Sequence, residues 1–341
     1  MKTLFEAIVK ALSRGEDAVL CSIIASSGST PRGKGAKMAV FEDGSTLGTV
    51  GGGAVEYHSI LTAKEVLREK AGFSKGFDLS PNQTADIGMI CGGKVVVYFQ
   101  FFSGKDEPER KKLEHIVSLF DKNEDAWLIT LVFEGRQVGL GVYEEKEGLK
   151  YVDLPVEDVR PLLKSSGVLK KQEPSFYVEP LVQSGYVYVF GGGHVAQELV
   201  PVLAHVGFRP VVYEDREMFA AAELFPKATA TMVGSFTNIF EKVTITPKDY
   251  VVIMTRGHQA DYQVLEQVMR TDACYIGMIG SKYKIASTFK RLVEAGIDEA
   301  ELSRVHSPIG LPIQGETPAE IAISIAAEMI LKRAELAKHS L

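Results

Sequence analysis

The spacing of apolar and polar residues changes character once along the 341-residue chain, near residue 186. Before that point short, mostly apolar runs alternate with polar turns, and only occasional helices intervene. Leu4, Phe5, Ile8, Val9 and Leu12 recur at helical spacing and predict a helix over 3–13. The largely apolar run 18–25 predicts a buried strand. Runs 38–41 and 46–50 flank Glu42-Asp43-Gly44-Ser45, a hairpin signal centred on Asp-Gly. A helix is predicted from about 55 to 70, a strand over 95–102 and a charged amphipathic helix over 107–122. A second hairpin, 127–133 with 138–142, turns at Glu134-Gly135-Arg136. Residues 156–163 predict a short helix, and the Lys-, Ser-, Glu- and Pro-rich stretch 165–180 reads as a linker between domains.

After the linker, strand and helix alternate. Strands are predicted over 187–190, 210–213, 250–254 and 273–278, with helices over 195–206, 218–224, 262–269 and 282–295. Such units imply a parallel sheet covered by helices on both faces, a doubly wound α/β domain. The last helix, 317–336, opens on Thr317, Pro318 and Glu320, the elements of a capping box.

Composition changes this picture little. Apolar residues make up 45% and charged residues 24%, ordinary for a globular protein of two domains. The formal charge of -6 disfavours nucleic-acid phosphate as a partner. Cys21, Cys91 and Cys274 are far apart, which argues against a structural zinc site or a disulfide framework. No apolar run is long enough to span a bilayer, and the N-terminus lacks a signal-peptide pattern, so the expected location is the cytoplasm.

Candidate chemistry sits in glycine-rich turns. Gly191-Gly192-Gly193-His194-Val195-Ala196 fits G-x-G-x-x-A directly between a predicted strand and helix. Gly191 permits a tight turn, Gly193 a close approach of backbone to phosphate, and the helix N-terminus supplies unpaired N–H groups. The second strand ends at Glu214-Asp215, where a carboxylate such as Asp215 would accept ribose hydroxyls. The bland reading is a strand-to-helix turn without a ligand. Thr255-Arg256-Gly257-His258-Gln259-Ala260-Asp261 follows the next clear strand and faces the same crevice. Arg256 suits a phosphate or carboxylate clamp. His258 and Asp261 are either a proton-handling or metal-binding pair, or a surface histidine beside an aspartate that caps the following helix. Gly280, Ser281 and Lys284 approach that crevice from a third loop, and 308–313 from a fourth.

In the N-terminal half, the loop 29–36 carries Thr30, Arg32, Lys34 and its glycines, a set suited to an anion. Gly51, Gly52 and Gly53 precede Glu56 at a helix start. Cys91, followed by Gly92 and Gly93, is either a small buried hydrophobe or an exposed thiol able to act as a nucleophile or soft-metal ligand. No G-x-S-x-G, HExxH or Walker A pattern occurs, and no catalytic set is identified.

Taken together, GSTPRGKGAKM (28–38), GTVGGGAVE (48–56), CGG (91–93), FGGGHVA (190–196), VYEDR (212–216), TRGHQAD (255–261), YIGMIGSKYK (275–284) and TPAEIAISIAAE (317–328) resemble the XdhC/CoxI family in family order. These are accessory factors of molybdenum hydroxylases such as xanthine dehydrogenase. The resemblance implies an N-terminal XdhC/CoxI-like α/β domain (1–105), a connecting region (106–180) and a C-terminal Rossmann-like domain (181–341). It also implies a chaperone that binds the molybdenum cofactor (molybdopterin), protects it during sulfuration and delivers it to the hydroxylase. The implied partners are a cysteine desulfurase and the molybdenum hydroxylase large subunit. A homodimer is the expected assembly, with neither nucleic acid nor membrane as a partner. On this reading the glycine loops hold the cofactor and Cys91 is its soft ligand. The alternatives are an NAD(P)-dependent oxidoreductase and a nucleotide-sensing regulator. The chain departs from the family pattern at Gly192, where alanine is commoner, and at Gln314, where glycine is common; glutamine adopts positive φ poorly.

Overall fold

The computed structural model describes residues 1–78, 93–133, 136–164, 166–170 and 175–339. The chain divides into two compact units between Gln183 and Ser184.

The first unit contains α1 (Lys2–Ser13), β1 (Ala18–Ser27), β2 (Lys37–Phe41), β3 (Thr46–Gly48), α2 (Gly53–Glu69), β4 (Phe73–Asp78), β5 (Lys94–Phe102) and α3 (Glu107–Leu119). It continues with β6 (Ala126–Phe133), β7 (Arg136–Glu144), β8 (Gly148–Lys150), α4 (Val156–Val159), β9 (Val168–Lys170) and β10 (Ser175–Val182). The described strands form one antiparallel sheet in the order β3-β2-β1-β5-β4-β7-β6-β10-β9, with β8 on β7. Strand β1 is buried along most of its length because its two faces serve two cores. Ala18 and Leu20 pack with α1 and α3. Val19, Cys21 and Ile23 pack with Val55, Ala63 and Val66 of α2. The sheet curls enough for β9 to approach β1 and for Lys37 of β2 to pair with Glu179 of β10.

The stretch expected as a linker is part of this sheet. Its described residues include β9 and β10, and β10 carries buried Phe176, Tyr177, Val178 and Glu179. Composition misled because the one charge inside β10 is neutralised by Lys37, a partner 142 residues away.

The second unit contains β11 (Val187–Phe190), α5 (His194–His205), β12 (Pro210–Glu214), β13 (Ala230–Val233), β14 (Tyr250–Ile253), α6 (His258–Val268), β15 (Tyr275–Met278), α7 (Lys282–Glu294), β16 (Val305–His306) and α8 (Pro318–His339). Its sheet is wholly parallel, in the order β13-β12-β11-β14-β15-β16. That is the doubly wound arrangement, with its switch point between β11 and β14. Alternation on β11 divides the cores: Tyr188 and Phe190 face α6 and α7, whereas Val187 and Val189 face α5 and α8. The capping box of α8 is formed. Thr317 Oγ1 accepts from Glu320 N at 3.3 Å, and Glu320 Oε2 accepts from Thr317 N at 2.9 Å.

The helix expected over 218–224 is instead two single 3-10 turns, Glu217–Phe219 and Ala222–Leu224. Helix α6 starts at His258 rather than near Tyr262, with Gly257 as its N-cap. Strand β13, half-exposed, and the two-residue β16 carry too little apolar periodicity to be read from sequence.

Candidate functional sites in the two units

In the first unit, the family motifs gather around one loop. A Cβ on Gly93 would lie 2.7 Å from both the Ser27 carbonyl oxygen and Thr30 Cγ2, and would also strike the Ser29 carbonyl oxygen. The backbone that follows Cys91-Gly92 therefore lies directly against the Ser27–Thr30 segment. Gly51 packs on the same loop one step further on, its Cβ position being 3.1 Å from Pro31 Cβ and 3.4 Å from Arg32 N. Thr30 Oγ1 donates to Arg32 O at 3.0 Å and shapes the loop, while Arg32 is exposed. Gly33 and Gly52 have open space beside their backbone. Cys91 and Gly92 lie outside the described residues.

Glu56 serves this loop from within. Its Oε2 accepts from Val50 N at 3.2 Å, from Gly52 N at 3.1 Å and from the Thr49 hydroxyl. Burial alone would raise its pKa; the Thr49 hydroxyl and the Gly52, Val50 and Gly51 amides outweigh burial and hold it below the usual range. Gly52 caps α2, and Gly53 begins it. Below the loop, Lys37 Nζ donates to Gly35 O at 3.5 Å and forms a buried pair with Glu179. Sequence reading missed this pair.

In the second unit, the glycine turn sits at the carboxyl end of β11. Gly191 has φ 113, and a Cβ there would lie 2.7 Å from the Met254 carbonyl carbon, so both conformation and space require glycine. Gly193, the N-cap of α5, has open space beside it, and His194 is exposed. The acid that engages the turn is Glu214. Its Oε2 accepts from Gly192 N at 2.8 Å, and Arg216 Nε donates to its Oε1 at 2.9 Å. Burial would raise the Glu214 pKa, but Arg216, Asp215 and the Gly192 N–H bring it down to about 2. Asp215 is the outward-facing neighbour, 31% exposed at its side chain, and its pKa is raised by the bond to Glu214, by burial and by the Glu214 charge. Arg256, from the loop after β14, reaches to 3.9 Å from Asp215 across the mouth of the turn.

Asp261 neither caps α6 nor bonds to His258. It lies in the first turn of α6, fully buried, and its Oδ1 accepts from Thr255 N at 2.9 Å and from Thr255 Oγ1 at 2.6 Å. Its Oδ2 pairs with Lys284 Nζ. The carboxylate is thus fully used in fixing the Thr255–Asp261 loop to α7. His258 is exposed at the helix start, and Gly257 has open space beside it. Ser281 caps α7 by accepting from Lys284 N at 3.4 Å, and Gly280 packs on the Lys284 stem. Gly191, Gly193, Asp215, Arg256 and Gly257 therefore share the carboxyl edge of the sheet, where the N-termini of α5 and α6 also point. Gln314 has φ 62, the left-handed conformation in which glycine would be unstrained.

Among the described residues no group of three or more His, Cys, Asp or Glu side chains is placed to hold a metal ion, and no helix is long and apolar enough to cross a membrane.

Residues 11–73 match the XdhC and CoxI family, and residues 187–329 match the XdhC Rossmann domain. A protein of Bacillus subtilis strain 168 described as a probable subunit of xanthine dehydrogenase is 24% identical over 94% of this chain and 95% of its own length. The molybdenum cofactor insertion chaperone PaoD of Escherichia coli K12 is 22% identical over 96% of this chain and 87% of its own. YqeB of Escherichia coli K12 is 25% identical over 91% of this chain, which spans only 42% of that longer protein. A crystal structure described as a xanthine dehydrogenase from Bacillus halodurans superposes with a TM-score of 0.81 at 26% identity, over 97% of this chain and 96% of the other. With both units matched and the glycine motifs in place at their loops, the chain belongs to the XdhC and CoxI family.

Proposed function

We propose that this protein is an accessory factor of a xanthine-dehydrogenase-type molybdenum hydroxylase. It binds the molybdenum cofactor, shields it while it is sulfurated, and delivers it to the apo-enzyme. The observation that carries the reading is the gathering of the N-terminal motifs. Gly93 lies on the Ser27–Thr30 backbone and Gly51 on Pro31–Arg32, so motifs scattered over more than sixty residues form one loop cluster. Its chemistry suits a pterin phosphate: exposed Arg32 and Lys34, open backbone at Gly33 and Gly52, and the N-terminus of α2. Cys91, two residues before Gly93 in the sequence, is the candidate soft donor toward molybdenum. The bound cofactor would carry the metal and its exchangeable terminal ligand. The chain's own groups would bind the phosphate and exclude water. The proposed partners are a cysteine desulfurase and the hydroxylase large subunit; the chain acts as a homodimer in the cytoplasm.

A second reading, nucleotide binding in the Rossmann unit, is favoured by the Glu214-tied turn and outward-facing Asp215. It is compatible with the first if the N-terminal loops hold the pterin. The oxidoreductase alternative is weakened because Asp261, the proposed proton-handling partner of His258, is committed to Thr255 and Lys284. The direct test replaces Cys91 with serine and compares molybdenum and pterin retained by the two proteins after purification from molybdate-fed cells. Reduced retention with an unchanged thermal midpoint supports the assignment. Equal retention removes Cys91 from the site.

A further inference from the structure

Both halves of the N-terminal motif cluster meet at Lys37, the first residue of β2. Its carbonyl oxygen accepts from Thr49 N at 2.9 Å, and the Thr49 hydroxyl is the one that donates to Glu56. Thr49 Oγ1 also accepts from Gly51 N at 3.0 Å. On the other side, the pairing of β1 with β2 runs on past Lys37. Ile23 N donates to Ala36 O at 2.9 Å, and Gly35 N donates to Ile23 O at 2.8 Å. The chain turns there, with Ala36 N donating to Gly33 O at 3.4 Å and Gly35 at φ 89. Arg32, Gly33 and Lys34, at the outer edge of that turn, are exposed.

The Lys37 side chain does not follow its loop to the surface. It is 5% exposed and pairs with Glu179 of β10, whose side chain is 3% exposed. Lys37 Nζ also donates to Gly35 O at 3.5 Å. Strand β10 comes up against the same glycine: a Cβ on Gly35 would lie 3.3 Å from Glu179 Oε2 and 3.7 Å from the Tyr177 hydroxyl. Tyr177 gives the turn a wall rather than a bond, since its buried hydroxyl has no hydrogen-bond partner among the described residues. Burial pushes the Glu179 carboxyl above its usual range, and the Lys37 charge opposes that. A buried ion pair contributes little stability that apolar side chains of similar volume would not also supply. What the pair adds is direction: charge-assisted bonds fix the position of Lys37 Nζ, and with it the Gly35 carbonyl.

We propose that Lys37 and Glu179 are positioning residues for the cofactor loops. The pair holds the turn at 33–36 and, through the Lys37 carbonyl, the turn at 49–52. Arg32, Lys34 and the open backbone at Gly33 and Gly52 are thereby set in place before an anion arrives. Both side chains of the pair are buried, so they act through the loops and do not touch the ligand. This role presupposes that the loops hold the cofactor, as proposed above. Its effect is on affinity: a loop already fixed in its binding conformation escapes the ordering cost that a loose one meets on binding.

The test compares three forms of the full chain purified from molybdate-fed cells: wild type, Lys37→Met/Glu179→Leu and Glu179→Asp. The double variant replaces the pair with apolar side chains. Glu179→Asp keeps the charge but withdraws the carboxylate by one methylene. Three quantities are read: the thermal midpoint through Trp127, which lies in the same unit, amide exchange at Gly35 and Ala36, and the molybdenum and pterin retained after gel filtration. The double variant is expected to keep its midpoint, to exchange Gly35 and Ala36 about tenfold faster and to retain about tenfold less molybdenum and pterin. Glu179→Asp moves exchange and retention in the same direction, and decides the question if the double variant does not fold. A pair that only stabilises would instead lower the midpoint and speed exchange throughout β1 and β2, with retention per folded chain unchanged. That result overturns the positioning role, as does wild-type retention or wild-type exchange at Gly35 and Ala36 in the variants. Wild-type protein that itself retains neither molybdenum nor pterin overturns the cofactor reading of the loops, and the positioning role falls with it.

Discussion

Replacing Asp261 with asparagine probes the contact that fixes the Thr255–Asp261 loop. The carboxylate is fully buried, accepts twice from Thr255 and faces the Lys284 ammonium, whose side chain is only 15% exposed. Asparagine retains an oxygen for Thr255, so the main loss is the charge opposite Lys284. Removing one partner of a buried pair costs about 3–5 kcal/mol. Because the Lys284 stem allows its head some retreat toward water, about 2–3 kcal/mol is expected here. Asp261→Ala adds the loss of the Thr255 bonds, about 1 kcal/mol each. In the Asp261→Asn background, Lys284→Met removes the uncompensated charge and should restore about 1–2 kcal/mol. Amide hydrogen exchange of β14 and α6 is the suitable assay, since the only tryptophan, Trp127, lies in the other unit and serves as an internal control. A loss of about 3 kcal/mol accelerates exchange of globally protected amides roughly 100-fold. Less than about fivefold acceleration in Asp261→Asn, or further loss in the double variant, would show that the Asp261–Lys284 pair does not fix this loop.

Other consequences are equally direct. Gln314→Gly should stabilise the Rossmann unit by about 1 kcal/mol, because glycine occupies φ 62 without the Cβ clash, and should raise its thermal midpoint. Gly93→Ala should destabilise the first unit by about 2 kcal/mol or more, since the new Cβ meets the Ser27 and Ser29 carbonyls; denaturation followed through Trp127 reads this. Glu214 has a folded pKa of about 2 against an ordinary 4.5, so its contribution is complete above pH 4.5 and is lost as pH falls toward 2. Asp215, shifted the opposite way, offsets part of it. Glu214→Gln should flatten the acid limb of the stability profile, and an unchanged limb would show that another group governs it.

The Rossmann half is legible because its signals are local. A strand, three glycines and a helix stand consecutively at 187–205, and the next strand follows at once. What sequence reading misses depends on phase or distance. Glu214 and Asp215 look alike in sequence, but alternation on β12 turns Glu214 to the glycine turn, on the face of Val212, and leaves Asp215 outward. Asp261 resembles a helix cap because its helix begins four residues earlier than its apolar pattern does; Gly257, His258 and Gln259 carry no apolar signal. The expected linker at 165–180 conceals β10, because burying Glu179 requires Lys37, and no pattern within the stretch announces that partner. In contrast, Gln314 is readable: a residue standing where glycine is common points to the positive φ that the backbone adopts there.

What the protein carries from the cell bears most directly on its proposed role. The chain should be purified without added ligand from molybdate-fed cells and its molybdenum, pterin and nucleotide contents measured together. Molybdenum and pterin co-eluting with the chain near one equivalent each is the predicted result. A dinucleotide at that stoichiometry with neither molybdenum nor pterin would contradict it and assign the glycine loops to nucleotide chemistry instead.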